Sequence, residues 1–181
     1  MTGFFSKLFG RKDAAIEDAA RIYSTLMAQA RQQGFYGETK APDNYDGRID
    51  VLTLHIAAVL EALSKKGEQG ERLSQAIFDV MRDDFEVAMR EEGLSDTGIK
   101  RRIKPMMQLF YTRVKSYVEA FQSGESKAAL QTAFKTGLLA DKETDFSESL
   151  AEYAVMFSDN MKPLSLGQIA LAQFDIPSVP K

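Results

Sequence analysis

The chain has no cysteine, which excludes disulfides, thiolate zinc sites and iron–sulfur clusters and frees its stability from any oxidising compartment. A reducing, cytoplasmic setting fits best. With His55 as the single histidine, a two-histidine metal site or a bis-histidine haem within one copy is excluded as well. Long apolar runs are missing. None approaches the roughly 20 residues needed to cross a bilayer, and the cluster Phe4, Phe5, Leu8 and Phe9 is too short for the apolar core of a signal peptide. The chain is therefore expected neither to span a membrane nor to carry an obvious export signal. Neither sign of charge dominates: 23 basic residues stand against 26 acidic ones, a net charge of −3. That balance argues against a general nucleic-acid binder unless the cations are segregated on one face. Alternating runs of valine, isoleucine or threonine are also absent, so no strand is expected.

What remains is an ordinary globular composition, 44% hydrophobic and 27% charged over 181 residues, enough for one well-buried core. Apolar residues recur at three- and four-residue spacing throughout, which predicts an all-α, irregular single-domain bundle of about six to eight helices around a central apolar helix. The division expected is a short amphipathic segment over residues 1–12, a helical domain over 13–174 and an extended, mobile tail over 175–181.

The first long helix is predicted over residues 14–33, with Ile16, Ala20, Tyr23, Met27 and Ala30 on its inner stripe and Gly34 as a left-handed terminator. The second starts with Asp46 as N-cap and ends near Ser64. A third, over residues 70–92, turns Leu73, Ile77, Val80, Met81 and Phe85 inward and stops at Gly93. A fourth, over residues 98–122, carries Pro105 either at its true start or at a kink. Shorter helices follow over residues 126–136, 147–160 and 165–174.

The stretch from Phe35 to Leu63 holds the densest information: a loop punctuated by glycine, proline and aromatics runs straight into a nearly all-apolar helix. Binding residues concentrate in loops held by rigid elements, and a helix apolar all round must be enclosed. Phe35, Tyr36, Lys40, Asp43, Tyr45, Asp46, Arg48 and Asp50 are the candidate protein-binding residues, since tyrosine and arginine are typical interface anchors. Part of this set serves folding: Asp46 as a cap and Gly47 as a turn residue.

Other clusters are less specific. His55, flanked one turn away by Val51, Leu52, Ala58 and Val59, reads as a buried structural histidine, because no signature supplies a nucleophile or substrate proton for it. Asp79, Asp83, Asp84 and Glu86 spread around their helix and lack a calcium-loop pattern, so no metal is expected. Lys100, Arg101, Arg102 and Lys104 form the strongest basic run. It suits RNA phosphates or anionic lipid headgroups, or simply faces the acidic third helix across a hairpin. At the N-terminus Phe4, Phe5, Leu8 and Phe9 share a helical face beside Lys7, Arg11 and Lys12, which suits weak, reversible contact with a membrane interface, or packing on the bundle or a second chain.

Three blocks, FYGETKAPDNYDGRIDVLTLHIAAVLEAL, IFDVMRDDFEVAMREEGLSDTGIKRRIKPM and FYTR, together resemble the ubiquinol-cytochrome c chaperone family. The shared elements fall on Tyr36, Pro42, Asp43, Asp46, Gly47, Arg48, Leu54 and His55, then on Asp84, Glu86, Arg90, Glu91, Gly93 and Asp96. The chain departs from the usual bacterial pattern at Phe85-Glu86, Glu92 and Pro105. The resemblance implies an assembly factor of the cytochrome bc1 complex with no enzyme activity and no cofactor. It adds Pro42, Asp84 and Arg90 to the candidate partner contacts. Mitochondrial relatives imply newly made cytochrome b as client, a small helper protein and the ribosome as partners, and a place on the cytoplasmic face of the inner membrane for a bacterial form. A general scaffold or RNA-contacting protein using the Lys100–Lys104 run is the alternative.

Overall fold

The computed structural model describes the backbone of residues 3–139 and 144–180, and the side chains of residues 14–139 and 144–180. The chain forms α1 (Gly3–Ala30), α2 (Tyr45–Ser64), α3 (Gly67–Glu91), α4 (Asp96–Gln122), α5 (Ser126–Thr136), α6 (Phe146–Met161) and α7 (Leu166–Ala170), with a 3-10 turn at Gln33–Phe35. Among the described residues the only extended pairing is an isolated bridge between Tyr36 and Ala41. The all-α expectation holds. The phenylalanines and basic residues of the N-terminal segment, Phe4, Phe5, Lys7, Leu8, Phe9, Arg11 and Lys12, have side chains outside the described residues.

Every residue of α2 from Ile49 to Val59 is buried, because α1, α3, α4 and α6 all pack against this helix. α5 bridges α4 and α6, and α7 lies on α1 and α3. The polar side chains that α2 carries inward are each engaged through at least one atom, although the second Glu61 oxygen, Oε2, has no hydrogen-bond partner. Thr53 donates to the Ile49 carbonyl at 2.7 Å, Asp50 faces Arg113, Glu61 pairs with Lys65, and His55 joins a relay described below. A buried polar group without such a partner would cost about 1–3 kcal/mol.

The cap of α2 is Asn44, whose side chain accepts from the Gly47 N–H at 2.9 Å; Asp46 sits exposed in the first turn, where its charge complements the helix dipole. The expected cap was thus two residues late. Gly47 is dictated by close approach, since a Cβ there would lie 2.1 Å from the Pro42 carbonyl oxygen. α3 does stop at Gly93: its φ is +86°, and the Leu94 and Gly93 N–H groups bond the Met89 and Arg90 carbonyls at 3.0 and 2.9 Å, a Schellman ending. α4 begins at Asp96, capped by Ser95, and runs on through Pro105, which is therefore not its start.

α1 differs more. It ends at Ala30, and Gly34 has no left-handed φ; it lies in the 3-10 turn against Val179. The inner stripe is Ala19, Ile22, Tyr23, Leu26 and Ala30, while Ile16 and Ala20 face outward. The tail is extended but docked, with Phe174 buried and Ile176 and Val179 packed on the core, so it is not the free end expected. Asn160 holds the Asp175 carbonyl at 3.0 Å.

Gly47→Ala separates two opposed effects. Alanine gains up to about 1 kcal/mol of helix propensity, whereas overpacking against a backbone carbonyl costs about 1–3 kcal/mol or more. The collision is with backbone and should win. Urea unfolding is expected to show a net loss of stability, and a stabilised variant would contradict the close packing of this turn.

Candidate functional site

The aromatic loop turns half of its residues inward. Phe35 is 0% exposed and meets His55 and Tyr153 edge-on at centroid distances of 5.4 and 5.3 Å, so it is a core residue and not a partner anchor. Asp50 is likewise buried, its Oδ1 3.5 Å from Arg113 Nε, and burial raises its carboxyl despite that neighbouring cation. Pro42 supplies the carbonyl against which Gly47 packs. Lys40 donates to the Gly34 carbonyl at 2.8 Å and lies over the Phe146 ring, away from the other candidates.

His55 is the centre of a directional hydrogen-bond relay. Its Nδ1 lies 2.7 Å from the Val51 carbonyl, which has no proton to give, so Nδ1–H donates and Nε2 must accept. The donor to Nε2 is the Tyr153 hydroxyl at 2.6 Å, and that oxygen in turn accepts from Gln29 Nε2 at 3.0 Å. Gln29 also accepts from Gln32 at 2.6 Å and reaches the Pro177 carbonyl at 3.4 Å. The relay joins α1, α2, α6 and the tail. With both ring nitrogens engaged and no opening, His55 is structural, as its apolar neighbours suggested.

Four candidates do converge. Tyr45, Arg48 and Asp84 rim a cleft of about 230 Å³ between α1, α2 and α3, which Arg31 completes, and the buried Tyr36 lines its wall. Its floor is apolar, made by Met27, Ile49, Leu52 and Phe85. The rim is fixed from behind. Tyr36 donates to the Ala30 carbonyl, with burial pushing its hydroxyl up to about 12, and the Arg48 guanidinium lies 5.1 Å above its ring while pairing with Asp43 at 2.7 Å. Asp84 accepts from the Tyr23 hydroxyl at 2.7 Å. Tyr45 is 40% exposed and carries the apolar surface onward: its hydroxyl reaches Met106 Sδ at 3.5 Å, and Leu109, exposed, follows one turn along α4. Such an aromatic and arginine rim over an apolar floor suits side chains of another polypeptide.

Arg90 lies elsewhere, pairing with Glu86 at 3.3 Å and with Asp96 at 3.9 Å across the α3–α4 turn. Arg31, Ile49, Leu52 and Phe85 were not among the candidate binding residues read from sequence. The signal was there, since residues 45, 48, 49 and 52 share one helical face and Phe85 adjoins Asp84. Among the described residues no group of three or more acidic or histidine side chains is placed to hold a metal.

Residues 38–174 match the family described as ubiquinol-cytochrome C chaperone. The chain belongs to that family. Members of the ubiquinol-cytochrome C chaperone family are chaperones and assembly factors, not enzymes. The chain is 29% identical to the Cbp3 homolog from Brucella abortus, whose crystal structure matches it with a TM-score of 0.79 over 97% of this chain and 98% of that one. Similar proteins include ubiquinol-cytochrome-c reductase complex assembly factor 1 of Xenopus laevis, 22% identical over 107 residues, and that of Homo sapiens, 23% identical over 148. These stretches cover 59% and 79% of this chain and 54% and 49% of the relatives, so the chain spans about half their length. The family match takes in Tyr45, Arg48, Leu52 and Phe85 on the α2 and α3 walls of the cleft, whereas Tyr36 and the α1 wall lie before it.

Burial holds the His55 imidazole down to about 4, below its ordinary 6.5. The unfolded chain takes up this proton more readily than the fold does. The stabilisation is therefore complete above pH 6.5 and declines as pH falls toward 4. About 2 kcal/mol should be lost between pH 7 and 5. Urea unfolding of His55→Gln is expected to lack this component, and a pH dependence identical to that of the parent would remove His55 as its source.

Proposed function

We propose that this chain is an assembly chaperone of the ubiquinol-cytochrome c reductase (bc1) complex that holds a hydrophobic client, cytochrome b, until its partners arrive. Membership of the ubiquinol-cytochrome C chaperone family supports the assembly role. The observation that carries a binding mode is the convergence of Tyr36, Tyr45 and Arg48 around an open apolar cleft. A membrane subunit awaiting assembly exposes apolar surface that would otherwise aggregate, and covering it requires a complementary, partly apolar face and no bond-making chemistry. The cleft accepts one or two large side chains of the client, and the Tyr45, Met106 and Leu109 surface extends that contact across α4. No described helix is long and apolar enough to cross a membrane, and the reading places the protein peripherally on the cytoplasmic face of the inner membrane.

Tyr45→Ala combined with Arg48→Gln removes an exposed aromatic anchor and a rim charge at two exposed positions, without setting a second carboxylate against Asp43. Interface anchors of this kind are worth about 2 kcal/mol or more each. Recovery of cytochrome b with the tagged chain from solubilised membranes is expected to fall at least tenfold, with circular dichroism unchanged and the thermal midpoint lowered only by the lost Arg48–Asp43 pair. Equal recovery would remove the cleft as the client site, and normal bc1 levels in cells lacking the protein would remove the assembly role itself.

A further inference from the structure

The outer face of α4 takes no part in the cleft or the core. Helical spacing puts Lys100, Lys104, Tyr111 and Lys115 on one arc with Arg101 at its edge, and all five are exposed. Together they span about 22 Å of helix. Across the hairpin the expected charge matching is only partial. Arg102 meets Glu92 at 3.8 Å, but Lys100, Arg101 and Lys104 make no ion pair or hydrogen bond among the described residues. Lys115 pairs with Glu119 at 3.8 Å on the same face. A chain of net charge −3 thus gathers four cations against two carboxylates, Glu119 and Asp96, along one helix face. On the neighbouring α3, Glu86 borders Lys100 and Asp79 lies close to Tyr111. In the midst of the cations Tyr111 remains 53% exposed, one side of its ring stacked on Phe78 at 5.0 Å.

We propose that this face of α4 docks the protein on an anionic phospholipid surface. An outward-facing helix presents its lysines to a plane and offers no channel along which a nucleic-acid strand would run. A depression beside it is lined by Arg90 and Lys100 as well as Glu86 and Asp96, so its charges balance and it forms no cationic track for a strand. Lysine stems and a tyrosine held upright by a neighbouring ring are the side chains that settle at the headgroup level, the tyrosine with its hydroxyl toward water. The inference is independent of the client cleft, because vesicles contain no protein.

The test is co-sedimentation of the folded full chain with phosphatidylcholine vesicles containing about 30 mol % phosphatidylglycerol, against pure phosphatidylcholine. The parent should pellet with the anionic vesicles and be released as salt rises from about 0.05 to 0.5 M. Neutralising Lys100→Gln, Arg101→Gln and Lys104→Gln together should weaken partitioning about a hundredfold, roughly fivefold per cation. Circular dichroism and thermal midpoint should stay unchanged, since all three side chains are exposed. Equal binding to both vesicle types, salt-resistant binding, or a triple variant within about twofold of the parent would overturn the proposal. Binding of a single-stranded RNA oligonucleotide without vesicle binding would overturn it too, by assigning the face to nucleic acid.

Discussion

The fold hangs on a proton that can go only one way. Val51 contributes a carbonyl, so His55 must donate to it and must accept from Tyr153, and Tyr153 must then accept from Gln29. Each bond fixes the orientation of the next, and the three helices concerned can adopt only one relative rotation that satisfies all of them. Apolar packing alone does not supply this. A helix that is apolar around its circumference, as α2 is, tolerates rotation within its surroundings until polar groups choose the register.

That fixed register decides what α2 shows to solvent. Its first turns, ending in the buried Ile49 and Leu52, reach a surface, and there Tyr45 and Arg48 stand above the buried floor. The same rotation sends Asp50 inward to Arg113 and leaves the Tyr117 hydroxyl nearby without a hydrogen-bond partner. One short stretch of chain therefore supplies core, ion pair and rim on successive faces.

Much of the architecture was legible because its signals were local. α5 was placed to the residue, and α3 ended where Gly93 provides a left-handed position. The failures have a common cause. α1 carries apolar residues around much of its circumference, so spacing left open which arc is buried, and contacts with α2 and α3 chose Ala19, Ile22 and Leu26 over Ile16 and Ala20. The α2 cap fell on Asn44 instead of Asp46 because Gly47 has to meet Pro42. In the loop, an aromatic residue reads alike whether it faces water or core, which is why Phe35 and Tyr45 could not be separated beforehand. The cleft was half visible: its rim residues stood out as unusual types, while its floor was ordinary apolar sequence.

The docked tail gives the relay an unusual reach along the chain. Gln29 touches Tyr153 across 124 residues and Pro177 across 148, alongside other long-range pairings such as α7 on α1. Chain growth at a ribosome releases α1 and α2 long before these acceptors exist. The early helices must wait with Gln29 and His55 only partly satisfied, so locking of the core follows the arrival of α6 and the tail, at a rate set by long-range closure.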